Sequence, residues 1–119
     1  RRETDAVLAD LQALARTEKR DAAPTVKQVR DRQSQAQALV AAGRFDSALA
    51  LDRQGTLIAV RALNALAGDL VSRYGRVAEQ ATAAGQLEIA QQALNRARKV
   101  DALRRPEPSS DAAAAVEQK

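Results

Sequence analysis

The chain has 119 residues, enough for one domain that hides roughly two-thirds of its unfolded surface. It contains no Cys, His, Met or Trp, one Phe and one Tyr, which excludes a disulfide framework, thiolate chemistry and the commonest metal ligand and general base. The net charge of +4 is spread evenly, since residues 1–20, 21–43, 44–85 and 86–119 each carry a net +1, the pattern of a solvated surface.

Residues 4–20 form the first predicted helix. Val7, Leu8, Leu11, Leu14 and Ala15 fall at helical spacing, with Thr4 as N-cap and Arg16, Lys19 and Arg20 suiting the negative end. Asp21-Ala22-Ala23-Pro24 interrupts, because the residue before proline disfavours helix. A second helix runs from Thr25 to Ala42 on Val26, Val29, Ala36, Leu39 and Val40, and Gly43 closes it as a left-handed terminator. A third starts near Phe45-Asp46 and reaches Asp52.

The stretch Asp52-Arg53-Gln54-Gly55-Thr56 allows either a joint, with Thr56 capping the next helix, or one unbroken helix carrying an interior glycine at a cost of about 1 kcal/mol. The joint is the favoured expectation, because an unbroken helix over 46–84 would run to nearly ~58 Å. Residues 57–84 are the most apolar segment, with Leu57, Ile58, Val60, Leu63, Leu66, Leu70, Val71, Tyr74 and Val77 on more than one side, as expected of a central spine. Gly68 and Gly75 either admit a neighbouring backbone or are tolerated defects. After Gly85, residues 86–103 form the last helix, packing through Leu87, Ala90, Ala93, Leu94 and Ala97. Pro106, Pro108 and an Ala run mark 106–119 as an extended, mobile tail.

The chain repeats itself. Ala41-Ala42-Gly43-Arg44-Phe45-Asp46-Ser47-Ala48 is answered, 42 residues on, by Ala83-Ala84-Gly85-Gln86-Leu87-Glu88-Ile89-Ala90. A repeat of this size signals helical hairpins. Over 71–103, Tyr74, Val77, Ala78, Ala81, Gly85, Leu87, Ala90, Leu94 and Ala97 follow the large, small and turn positions of a tetratricopeptide repeat, which the segment resembles. A looser copy at 29–55 keeps Ala36, Leu39, Gly43, Phe45 and Ala48, while Arg32 and Asp52 replace large apolar residues. Together the copies cover about half of the chain. Family repeats run near 34 residues, against 42 here, and no proline separates the copies. The resemblance implies that the first helix of each hairpin lines a groove for a protein or peptide. By position its residues would be Arg30, Gln33 and Gln37, then Glu79 and Thr82 with Ser72 at the edge. The Lys/Asn/Arg set with which some members grip a terminal carboxylate is missing.

Catalysis finds little material. A Ser or Thr nucleophile would need a Lys or carboxylate partner. The four Lys, at 19, 27, 99 and 119, sit beside no Gly-flanked Ser. Asp46 and Glu88 occupy first helical turns, where a carboxylate complements the helix dipole. No glycine loop for phosphate and no acidic run for calcium is present, so no cofactor or metal is expected. Arg96, Arg98, Lys99, Arg104 and Arg105 form the sharpest charge cluster and the one place suited to an anionic partner. Phe45 and Tyr74 sit on expected packing faces, so stacking recognition of single-stranded nucleic acid is disfavoured, and nucleic acid is not the expected partner. No window approaches the ~18 apolar residues of a membrane span.

The expectation is an all-α fold of four to five antiparallel helices, a tetratricopeptide-like stack or small helical bundle. One domain spans 1–105, with hairpins at about 25–55 and 57–103. The expected function is a non-catalytic protein- or peptide-binding scaffold, a segment of a larger bacterial protein whose compartment, cytoplasm or periplasm, is left open. The alternatives are a homodimerisation module pairing through 57–71 and a basic nucleic-acid binder working through Arg96 to Arg105.

Overall fold

The computed structural model describes residues 2–108, and within them the protein is all helical, with four helices and no strand. They are α1 (Arg2–Thr17), α2 (Ala23–Ala41), α3 (Phe45–Ala83) and α4 (Leu87–Asp101). Of the tail expected at 106–119, residues 106–108 are described, and Glu107 is bonded to Arg61 of α3; the remainder lies outside the described residues.

α3 is the frame. Its 39 residues form one uninterrupted helix, which overturns the expected joint at Gly55. Gly55 is instead buried where α2 crosses α3, with Val29 Cγ1 3.6 Å from where its Cβ would sit. Thr56 does not cap a helix either. Its hydroxyl donates to Asp52 O (3.0 Å) within α3 and accepts from Thr4, which is buried inside α1 rather than capping it. Because the Thr56 proton is already given to Asp52 O, Thr4 must be the donor of the pair.

α2 folds back along the first half of α3 and α4 along the second half, while α1 packs across the middle. The two turns are built alike. Gly43 and Gly85 have φ of +77° and +74°, the left-handed conformation that glycine adopts without a Cβ penalty. At the first turn Gly43 N–H donates to Val40 O and Arg44 N–H to Leu39 O; at the second Gly85 donates to Thr82 O and Gln86 to Ala81 O. This is the same Schellman closure twice, shifted by the 42 residues of the sequence echo. α1 ends in a similar closure, but with Lys19 at φ +56° in the glycine position.

The large buried side chains gather in one belt. Val7, Leu8, Leu11 and Leu14 of α1, Val29 of α2, Val60, Leu63 and Leu70 of α3 and Val100 of α4 meet at mid-length. Towards the ends only alanine is buried between helices: Ala36 and Ala48 in one hairpin, Ala78, Ala81, Ala90 and Ala93 in the other. Neither remaining interior glycine admits a backbone. Gly68 lies under the Arg104 guanidinium, and Gly75 faces open space.

Candidate interaction surfaces

Arg30, Gln33 and Gln37 lie on α2, but the first two face α1 and are already engaged. Arg30 Nη1 donates to Asp5 Oδ1 (3.0 Å) and to Gln33 Oε1 (2.8 Å), and Gln33 Nε2 donates to the same Asp5 oxygen (3.3 Å). The Gln33 bond is the largest influence on the Asp5 carboxyl; burial opposes it, and with Arg30 adding to the Gln33 bond the pKa is held below its usual value. Gln37 is exposed further along α2. Ser72, Glu79 and Thr82 are exposed on the second half of α3, with Thr82 Oγ1 donating to Ala78 O of its own helix. Ser72 lies 17 residues beyond Gly55, the point where Val29 of α2 meets α3, or about 25 Å along the axis. The structure therefore does not bring the two sets into one groove.

The basic cluster is also largely spoken for. Arg96 reaches Glu18, whose side chain is only 13% exposed, at 3.1 Å, and the Tyr74 hydroxyl donates to the same carboxylate at 2.7 Å. Burial opposes the Arg96 charge, but Glu18 and Tyr74 outweigh it and raise the guanidinium pKa. Arg104 pairs with Asp101 (3.2 Å) and Arg105 with Asp10 (2.8 Å). That leaves Arg98 and Lys99 as the cations of the cluster without an ion pair among the described residues.

A different surface stands out. The exposed large apolar residues are Val40, Phe45 and Leu49 at the α2–α3 end and Val77, Leu87, Ile89 and Leu94 at the α3–α4 end. All belong to the two hairpins and none to the central belt. Phe45 and Leu87, equivalent positions of the echo, are 65% and 67% exposed. Both were expected in packing faces, as was Leu94. The physical reason they are not is alanine. Ala90, Ala93 and Ala97 recur at i, i+3 and i+7, a complete packing line on their own, and so small a side chain draws the helices together. Leu87 and Leu94, seven apart on α4, then fall beside the contact rather than within it.

Sequence reasoning also missed Asn64, Asp10 and Glu18, which hold the chain together over long sequence distances. Asn64 grips the Arg105 backbone, Asp10 its guanidinium, and Glu18 joins α1 to Tyr74 and Arg96. Nothing in local sequence marks them, because their partners lie 41 to 95 residues away.

Among the described residues no cluster of three or more His, Cys, Asp or Glu is placed to hold a metal ion, and no helix is long and apolar enough to cross a membrane. An open cleft of about 410 Å³ between the end of α1 and the start of α2 is lined by Arg16, Arg20 and Lys27 among others, two of which pair with Asp69 and Asp31. No protein family, curated protein or solved structure matches the chain.

Proposed function

We propose that this chain is a non-catalytic protein-binding scaffold that meets its partner through the apolar faces of its hairpin ends. The observation that carries this reading is the segregation of exposed large apolar side chains: Val40, Phe45 and Leu49 at one end, Val77, Leu87, Ile89 and Leu94 at the other, with the belt between them sealed. Scattered apolar residues on a surface need no explanation, but here they are confined to the two hairpins. Phe45 with Leu49 and Leu87 with Leu94 share a helix face by their spacing, which points to contact with another apolar surface.

The tetratricopeptide-like resemblance is supported locally by the two antiparallel hairpins with small residues at their crossings. In this chain they share α3 and lie end to end, so a concave groove between stacked hairpins is not the contact we propose. The homodimer alternative drew on the apolar surplus of 57–71, but Val60, Leu63 and Leu70 are buried in the belt. The nucleic-acid alternative drew on a cluster in which three of five cations are ion-paired.

The test uses Leu87→Glu/Leu94→Glu and Phe45→Glu/Leu49→Glu variants in cross-linked affinity capture, with solution mass followed by light scattering. The reading expects unchanged helicity and loss of the captured protein in at least one variant. A captured set in both variants identical to that of the unaltered chain would overturn it.

A further inference from the structure

Beyond α4 the chain leaves helical geometry and lies back along the belt, and the way it is held is that of a ligand in a site. Leu103 packs against the core. Arg104 lies across Gly68, its Nη2 3.0 Å from where a Cβ would be. The backbone of Arg105 is clasped from both sides by one carboxamide: Asn64 Nδ2 donates to Arg105 O (2.7 Å) and Arg105 N–H donates to Asn64 Oδ1 (2.9 Å). The Arg105 guanidinium reaches Asp10 at 2.8 Å, and Glu107 accepts from Arg61 Nε at 2.9 Å. The receiving side chains come from α1 and α3, the two helices that contribute most of the core.

The register is regular. Gly68, Asn64 and Arg61 are spaced four and three residues apart and form one stripe of α3. They meet residues 104, 105 and 107 in that order. Seven helical residues advance about 10.5 Å, and three extended residues about 10 Å, so an extended segment antiparallel to α3 stays in step with the stripe. Pro106 biases Arg105 towards extended backbone and offers no N–H that would need a partner. A paired carboxamide reads backbone whatever the side chain, while an acid, a base and an apolar shelf read three positions of sequence. Those are the elements of linear-peptide recognition.

We propose that the α1–α3 shelf around Asn64 is a binding site for an extended peptide of the pattern Leu-Arg-Arg-Pro-Glu, filled in cis by residues 103–107. The occupant is held through side-chain pairs that are half-exposed or more at Glu107 and partly exposed at Arg105, so salt and competing charge loosen it. A segment tethered directly to α4 competes at an effective concentration in the millimolar range, which keeps the site closed to a weak partner. A partner segment carrying the same pattern enters when the strap lifts. This site is separate from the apolar hairpin ends and shares no residue with them.

The experiment uses the full chain and a fluorescein-labelled peptide of residues 102–108 as probe, followed by anisotropy. Arg105→Glu/Glu107→Arg sets the strap against Asp10 and Arg61 while leaving the shelf intact. The released variant is expected to bind the probe at least tenfold more tightly than the unaltered chain, and Asn64→Ala on that background to abolish the gain. A released variant that keeps its helicity but binds no better, or binding that survives Asn64→Ala, overturns the proposal. Should the released variant fail to fold, hydrogen exchange at the Arg105 amide of the unaltered chain decides. Excess probe is expected to speed that exchange by displacing the strap, and unchanged exchange at millimolar probe overturns the proposal as well.

Discussion

Tyr74 is the only phenol in the chain, and there is no Trp, so its ionisation can be followed by absorbance near 295 nm without interference. Its hydroxyl donates to both Glu18 carboxylate oxygens, at 2.7 and 2.9 Å. That bond to Glu18 is the main reason the phenol is held above its ordinary pKa of 10.0; burial adds to it, and the nearby Arg96 partly offsets it. Raised in the folded state, the phenol contributes stability that is fully present below pH 10 and lost as pH climbs through the folded value. Absorbance titration is expected to place Tyr74 above 10.0, and Glu18→Gln to bring the midpoint down. A midpoint that ignores Glu18→Gln would mean that α1 does not deliver Glu18 to the spine. The same contact explains why Lys19 tolerates a left-handed backbone: the tight end of α1 places Glu18 between Tyr74 and Arg96.

At the level of helices, the sequence is most legible where one apolar stripe meets one neighbour. All five expected positions of α1, Val7, Leu8, Leu11, Leu14 and Ala15, are buried, and both Gly turns fall where the echo places them. Legibility fails where small residues carry the packing. Leu87 and Leu94 outweigh Ala90, Ala93 and Ala97 in any hydrophobicity pattern, yet the alanines make the contact and the leucines are left on the surface. The same effect moves the candidate surface: Leu87 and Leu94, read as packing residues, are exposed, while Arg30 and Gln33, read as lining a groove, bond to Asp5 of α1. Gly55 misled for a related reason. A glycine signals a joint by propensity alone, but here it sits in a close helix crossing. The Cβ of an alanine there would meet Val29 Cγ1 at 3.6 Å and Arg32 Cβ at 3.9 Å, both ordinary contacts. Gly55→Ala is therefore expected to stabilise the protein by up to about 1 kcal/mol through helix propensity. Thermal denaturation should show this as a rise of a few degrees, whereas a fall would indicate that α3 bends at residue 55 and needs the glycine.

Over the described residues the molecule is about as long as its spine. Its extents are 64 × 29 × 17 Å, and α3, at 39 residues, supplies about 58 Å of the longest. The radius of gyration, 18.2 Å, exceeds the roughly 13.5 Å of a compact domain of this length. Such a shape distributes stability unevenly. The belt buries leucine and valine from all four helices, and each fully buried large side chain is worth roughly 1.5–3 kcal/mol. The ends bury alanine alone between two helices. The hairpin ends are therefore expected to open without the belt, by the local unfolding that low contact density allows. Native-state hydrogen exchange tests this along a single helix: amides of Leu63, Ala67 and Leu70 should exchange only on global unfolding, and those of Ala48 to Leu51 and of Ala78 to Ala81 considerably faster. Uniform protection along α3 would rule the gradient out. The gradient bears on the proposed scaffold role, because an end that opens on its own would be stabilised by a partner covering Phe45 or Leu87. A protein partner at an end should slow exchange there and leave the belt unchanged, so the same measurement locates the contact without altering the chain.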